Sequence, residues 1–207
     1  MSANFDQKSR VGKEDRDLVI TIEPVTTIDD VTLRVIDALN ASSVNYMLVG
    51  SFSANVYGIP RSTKDADFVL QLDGDLAPAF YEGLGEDVKI DPQLKFETNT
   101  GTLKQEIRFS GTPFTVELFR LSNDSFDQER FRRRTSVNLL GRTTFIPTAE
   151  DVVVMKVRWL REKDRVDIRN ILAVQQGKLN WPHIEKWCRV HGTLAKLEEI
   201  RRTVPEI

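Results

Sequence analysis

The sequence has little cysteine and little net charge, and it contains no long apolar run. Its single cysteine, Cys188, excludes an internal disulfide and any metal site made of several cysteines, which agrees with a reducing compartment. The formal net charge of −2 gives no general attraction to nucleic acid, so contact with RNA or DNA requires a local basic patch. No apolar segment approaches the roughly 20 residues needed to cross a bilayer, and the polar first residues lack the apolar core of a signal peptide. We therefore expect a cytoplasmic protein without membrane contact.

The length and the apolar content set the scale of the fold. With 207 residues, of which 40% are hydrophobic, the chain can form one sizeable domain or two small ones around a real core. Residues 1–28 are predicted to be a flexible tail with a candidate edge strand at 18–22, because large apolar side chains are scarce before residue 18.

The most informative stretch joins an apolar strand to two carboxylates. An apolar run at 46–49 predicts a strand, and Gly50-Ser51 predicts a sharp turn into a helix. The motif Asp65-x-Asp67 then begins a second strand, where alternation points both carboxylates to one face and favours a bound cation. A glycine at a strand end lets a polyanion approach the backbone, and a serine opening a helix offers its hydroxyl beside unpaired N–H groups. The stretch therefore predicts a phosphate cradle facing metal-binding carboxylates.

In this order, the motifs resemble the signature of the nucleotidyltransferase superfamily related to DNA polymerase β, in its minimal and AbiEii-toxin-like branches. Thirteen residues separate Gly50-Ser51 from Asp65-x-Asp67, as in that signature. The supporting motifs are Tyr57-Gly58-x-Pro60-Arg61-x-Thr63, Pro147-Thr148-Ala149-Glu150-Asp151-x4-Lys156 and Lys163-Asp164-x2-Asp167-Ile168. The resemblance extends over roughly residues 29 to 175.

The resemblance implies an α/β fold with a small mixed, twisted sheet and a C-terminal helical region. We expect the nucleotidyltransferase core at residues 29–121, and a β-hairpin followed by helices at 122–207. The two parts should pack as one unit, because no flexible linker separates them.

The resemblance also implies the site residues. The predicted catalytic residues are Asp65, Asp67, Glu117, Lys156 and Asp167, of which Asp65, Asp67 and Glu117 would hold metal, two Mg²⁺ ions by expectation. The predicted nucleotide-binding residues are Gly50, Ser51, Arg61, Thr63 and Lys156. The expected substrate is an NTP such as ATP.

Glu117 has two interpretations. It is the one acid in the otherwise apolar strand at 114–119, and the superfamily usually has an aspartate there. It could be an edge-strand charge that faces water. It could instead be the third metal carboxylate, whose longer side chain still reaches a shared cation, and we favour this interpretation.

Lys156 interrupts the apolar face of a predicted helix that begins at Thr148, which is an unusual place for a lysine. Its stem could lie against apolar surface while the ammonium reaches water. Alternatively, Lys156 could pair with Asp167 between two helices, as a structural ion pair. In the interpretation that we favour, Lys156 faces the triphosphate and Asp167 orients it.

Two further groups of residues are interpreted as structural. The basic run at 127–134 is typical of a solvated helix face, although a phosphate-rich acceptor could use it. A metal site made of His183, Cys188 and His191 is disfavoured, because only the last two share a helix face.

The predicted reaction moves an NMP from an NTP to a hydroxyl group of RNA or protein. The resemblance places this activity in toxin–antitoxin or phage-defence systems, with a cognate antitoxin or toxin as partner. One alternative is a nucleotide-binding regulator with little or no turnover, suggested by Glu117. The other alternative is a nucleotidyltransferase that modifies a small molecule such as an antibiotic.

Overall fold

The computed structural model describes residues 27–98 and 100–205, so the predicted tail and the candidate strand at 18–22 lie outside it. The helices are α1 (Ile28–Ala41), α2 (Gly50–Tyr57), α3 (Pro78–Leu84), α4 (Ser125–Arg132), α5 (Ala149–Trp159), α6 (Glu162–Val174), α7 (Trp181–Val190) and α8 (Leu194–Arg201). The strands are β1 (Asn45–Val49), β2 (Asp65–Gln71), β3 (Val88–Ile90), β4 (Lys95–Glu97), β5 (Thr102–Phe109), β6 (Thr115–Arg120), β7 (Thr135–Leu139) and β8 (Arg142–Ile146). Within the described ranges, no helix is long and apolar enough to span a membrane.

The first helix follows from its capping residues and its apolar period. Thr27 and Asp30 form a capping box, in which the Asp30 N–H donates to Thr27 Oγ1 at 3.1 Å and the Thr27 N–H donates to Asp30 Oδ2 at 2.8 Å. Val35 and Leu39, on the apolar face, are fully buried under the sheet. One face of the sheet is thereby covered by α1, and the opposite face packs in part against Phe131 of α4.

The main sheet is mixed, as predicted. Its strand order is β1-β2-β6-β5-β3, with β4 paired to β5. Strands β2 and β6 run parallel, and the other pairs are antiparallel. Strand β6 therefore lies in the interior of the sheet, between β2 and β5. The edge-strand interpretation of Glu117 is wrong, because both edges of its strand are hydrogen-bonded to neighbours.

The predicted hairpin is formed by β7 and β8, and it packs on the sheet side of the molecule. Its two-residue turn is Leu140-Gly141, with φ angles of 48° and 83°, the conformation that the twist of a tight hairpin requires. Ile146 belongs to the same buried cluster as the sheet and α1. The helices α5, α6, α7 and α8 form a second core, which Ala54 of α2 joins. Helix α2 therefore connects the sheet to the helical region.

The basic run does not form the solvated face that its charges predict. Asp127 and Arg130 on α4 are only 2% and 4% exposed, and Asp127 Oδ1 lies 2.8 Å from Arg130 Nε. The prediction is wrong for these residues because Phe126 and Phe131 on the same short helix are buried and carry their neighbours inward. Arg132 does stay exposed.

Candidate active site

Three carboxylates meet on the face of the sheet opposite α1. Asp65 and Asp67 lie two residues apart at the start of β2, so their side chains leave the same face. Glu117 on β6 is the register partner of Asp67. The three line a cleft of about 320 Å³ between the sheet and α5, together with Gly50 and Lys156. The structure thus brings together the three carboxylates that the sequence predicts as metal ligands.

Gly50 makes room for Asp67 where β1 turns into α2. Its φ angle is 69°, a conformation that favours glycine, and a Cβ atom there would overlap the Asp67 carboxylate. Val49, the residue that precedes the helix, provides no side-chain hydrogen bond to its first turn. The first N–H groups of α2 are therefore left without a side-chain cap beside the carboxylates, as an anion-binding site requires.

The carboxylates are close enough to affect one another. Burial, and after it the charges of Glu117 and Asp65, raises the pKa of Asp67 to about 7. Lys163 and Arg161, which also line the cleft, act in the opposite direction. A carboxylate whose pKa is raised this far by its surroundings is typical of a functional site.

Glu117 is already held by a cation from the neighbouring strand. Lys104 Nζ on β5 lies 2.7 Å from Glu117 Oε1, and both side chains are half-buried. Among the described residues, no group of three His, Cys, Asp or Glu side chains is arranged to hold a metal ion. The oxygen donors of Asp65 and Asp67, on one face of β2 beside an open cleft, nevertheless fit a hard divalent cation.

Lys156 is paired inside the interface of α5 and α6. It is 5% exposed, and its Nζ lies 2.7 Å from Asp167 Oδ2 and 3.2 Å from Asp164 Oδ1. Leu160 ends α5 with a left-handed φ of 52°, so the chain folds back and presents both aspartates to the lysine. The Lys156 ammonium is therefore not freely solvated, and the interpretation in which it reaches water is wrong. Lys156 also lines the cleft, and its catalytic role stays a prediction.

The buried aspartates of α6 are stabilised in their charged form. Burial alone would raise the pKa of Asp164, but hydrogen bonds and charge from Arg161 and Lys156 hold it below its usual range. The pKa of Asp167 is lowered in the same way, against burial, by Arg61 and Lys156. The two carboxylates and three cations therefore form one ion-pair network, of which Lys156, Arg161 and Asp164 line the cleft.

Four predicted site residues lie outside the cleft. Arg61 binds Asp167 through two parallel contacts, Nε to Oδ1 at 2.7 Å and Nη2 to Oδ2 at 2.9 Å, and donates from Nη2 to Ser51 Oγ. Thr63 bonds the backbone of Asp65 at the start of β2. None of the four residues Ser51, Arg61, Thr63 and Asp167 is among the described residues that line the cleft. Their predicted roles at nucleotide and metal stay predictions.

Sequence reasoning missed several cleft residues. Lys104 lines the cleft, but it meets Glu117 only through the register of β5 and β6, which sequence spacing does not reveal. Arg130 lines it as well, although the basic run to which it belongs is predicted to be a solvated helix face. Trp159 lines the cleft at the end of α5, although the helical period places it with core residues. Ser53 also lines it and donates from Oγ to the Gly50 carbonyl at 3.1 Å. Its position three residues into α2, one turn from Gly50, is the signal that could have found it.

Solved structures of other proteins share this fold. The solution structure of the antibiotic-resistance factor ANT(2″)-Ia has 11% sequence identity to the chain and a TM-score of 0.54, over 84% of this chain and 97% of that one. The crystal structure of JHP933 from Helicobacter pylori has 13% identity and a TM-score of 0.51, over 85% and 89% of the two chains. At such identities the similarity shows the fold alone. Among curated proteins, none matches the sequence.

The family comparison covers most of the chain. Residues 28–192 match the family described as "Nucleotidyl transferase of unknown function (DUF2204)". The predicted superfamily and the predicted enzyme class are thereby confirmed. The AbiEii-like branch stays a prediction. The match includes the whole sheet and the cleft, and we conclude that the chain belongs to this nucleotidyl transferase family.

Proposed function

We propose that the cleft transfers an NMP from an NTP to a hydroxyl group of an acceptor. The observation that carries the proposal is the pairing of Asp67 with Glu117 on parallel strands, with Asp65 on the same face and the first turn of α2 beside them. Anionic phosphates and a divalent cation each find a matching partner there. The family match supports this reaction class.

In this proposal, one group of residues binds the metal ion and another binds the phosphates. Asp65 and Asp67 would hold a divalent cation, Mg²⁺ by expectation, which would neutralise phosphate charge and polarise the acceptor hydroxyl. The N–H groups of α2 after Gly50 bind the outer phosphates. Because Gly50 has no side chain, Asp67 lies against the start of α2, which brings the proposed cation close to these N–H groups.

The basic residues near the cleft have two different roles in this proposal: some can contact the nucleotide, and others hold helices together. Lys163 lines the cleft, is exposed, and forms no ion pair within residues 27–98 and 100–205, so its charge is available to a nucleotide. Arg161 lines the cleft as well, but it is paired with buried Asp164 and stacks over Trp159, with 4.7 Å from its Cζ to the ring centre. Arg61 and Lys156 are engaged by buried aspartates. We assign Arg61 to holding α2 against α6, and Lys156 to holding α5 against α6 and to the electrostatics of the cleft.

The proposed acceptor is a hydroxyl of RNA or of a protein, and the antitoxin or toxin partner belongs to the same prediction. The second candidate is a small-molecule acceptor. It is favoured by the volume of the cleft, about 320 Å³, and by its apolar wall of Met155, Trp159 and Phe119, which suit a compact ligand. One experiment separates these acceptors.

The protein is incubated with each α-³²P-labelled NTP and Mg²⁺, with total RNA, with a protein extract, or with a panel of aminoglycosides and lincosamides. We expect label to move to one acceptor class with release of pyrophosphate, and to stop when EDTA is added. Label in small products would select the second candidate. NTP binding without transfer in any arm would contradict the proposed activity and support a nucleotide-binding regulator.

A further inference from the structure

Lys104 is held beside the carboxylate site by contacts with the neighbouring strand. Strands β5 and β6 pair Glu106 with Glu117 and Lys104 with Phe119, so Lys104 is the diagonal neighbour of Glu117 on the same face. Its Nζ lies 2.7 Å from Glu117 Oε1 and 5.6 Å from the centre of the Phe119 ring. The ion pair and the ring both hold the ammonium in the cleft, of which Lys104 is a lining residue.

The neighbouring acid does not compete for Lys104. Glu106 lies directly opposite Glu117, and two like charges in that position destabilise a sheet unless each is neutralised. Glu106 has its own cations, Lys95 with Nζ at 3.4 Å and Arg108. The Lys104 ammonium is therefore committed to Glu117.

We propose that this active site binds one divalent cation per chain, held by Asp65 and Asp67, and that the Lys104 ammonium takes the place of a second cation at Glu117. The inference rests on the proposed function, because the cation is the one that accompanies the NTP. It differs from the two ions that the superfamily resemblance implies. Lys104 is in this sense a positioning residue, which keeps Glu117 turned away from the metal.

The charges of the site favour one ion. Once a bound cation holds Asp67 in its charged form, the carboxylates of Asp65, Asp67 and Glu117 carry −3 and Lys104 carries +1, which leaves −2 for one divalent cation. A second ion would lie about 3.5–4 Å from the first and would have to take Glu117 from the lysine. That would place a double positive charge beside an ammonium in a half-buried cleft, where repulsion is stronger than in water.

The absence of a ready three-ligand site agrees with this arrangement. No three His, Cys, Asp or Glu side chains in the described part of the chain form a group that could hold one metal ion. The superfamily pattern would provide such a group from Asp65, Asp67 and the acid on β6. In this chain the third acid, Glu117, is already bound to Lys104.

The test counts Mn²⁺ ions on the folded, nucleotide-free protein by calorimetry and by electron paramagnetic resonance of free Mn²⁺. We expect one Mn²⁺ per chain for the wild type and for Lys104→Arg, which keeps the charge. Lys104→Met should bind two, with the second site at least tenfold tighter than any second binding by the wild type. Arg108→Met is the matched control on the same strand and face, and it should bind one.

A second variant identifies the ligand and guards against misfolding. Glu117→Gln added to Lys104→Met should return the count to one, and Lys104→Gln replaces Lys104→Met if the latter melts early. Two ions on the wild type, no ion on it, or one ion on both the wild type and Lys104→Met would overturn the inference. Because the count requires no turnover, one bound ion in a protein that transfers no nucleotide would contradict the proposed function and leave this inference standing.

Discussion

Lys156 Nζ lies 2.7 Å from Asp167 Oδ2, and the same ammonium is 3.2 Å from Asp164 Oδ1, inside the interface of α5 and α6. One buried cation is thus shared by two aspartates that are 3% and 0% exposed. This buried pairing is typical of a structural ion pair. Lys156 also lines the cleft, which is the position that a catalytic lysine requires. Stability and turnover measured on the same variants separate the two roles.

We expect Lys156→Met to lower the free energy of unfolding by about 1.5–3 kcal/mol, because each of the two buried aspartates loses a charged donor and keeps only its arginine. Thermal and urea unfolding measure the change. Lys178→Met, at an exposed lysine, is the control and should unfold like the wild type. A Lys156→Met protein that melts normally and has lost NTP turnover would instead assign the lysine to the reaction.

Acid should weaken the fold through Asp164 and Asp167. Their pKa values are lowered in the folded protein, so the unfolded chain, with aspartate pKa values of about 3.9, binds more protons at low pH. Their stabilising contribution is complete above that value and is lost as pH falls through the folded pKa values. We expect urea unfolding between pH 5 and pH 3 to show a steeper loss of stability for the wild type than for Asp164→Asn. Equal slopes would contradict this.

Gly50→Ala should remove the site with little effect on the rest of the fold. The new Cβ would overlap the Asp67 carboxylate, which must then leave its place beside Glu117. We expect loss of Mn²⁺ binding and of turnover. Gly141→Ala is a matched control, because it has a similar positive φ and open space around it, so it should cost only about 1–2 kcal/mol of strain. Normal Mn²⁺ binding by Gly50→Ala would place the metal elsewhere.

Arg130→Met should destabilise the protein strongly, by about 3–5 kcal/mol, because Asp127 would stay buried without its cation. Arg132→Met on the same helix is exposed and should change stability by no more than about 0.5 kcal/mol. Thermal melting of the two variants provides the comparison. Similar melting temperatures would show that the buried pair contributes nothing specific.

Local patterns were sufficient to predict much of the fold. The strand at 46–49, the turn into a helix at Gly50 and the helix that begins at Thr148 each depend on residues close together in the sequence. Asp65 and Asp67 were found for the same reason, because strand alternation alone places them on one face.

Contacts between distant residues could not be predicted in this way. Lys104 meets Glu117 only because of the register of β5 and β6, and Arg61 meets Asp167 across 106 residues of sequence. The burial of Arg130 depends on neighbouring elements, since its own helix is rich in charge. Such pairs depend on how the elements pack together, which amino-acid composition and hydrophobic periodicity do not predict.

The central claim is that Asp67 belongs to a nucleotidyl transfer site. Asp67→Asn removes a charge that burial and two neighbouring carboxylates oppose, so we expect the variant to melt no earlier than the wild type. Asp73→Asn, in an exposed turn, is the control.

The decisive measurement is Mg²⁺-dependent pyrophosphate release from NTP by these three proteins in the presence of the identified acceptor. We predict release by the wild type and by Asp73→Asn, and a fall of at least a hundredfold for Asp67→Asn. Near-wild-type release by a folded Asp67→Asn protein would contradict the account.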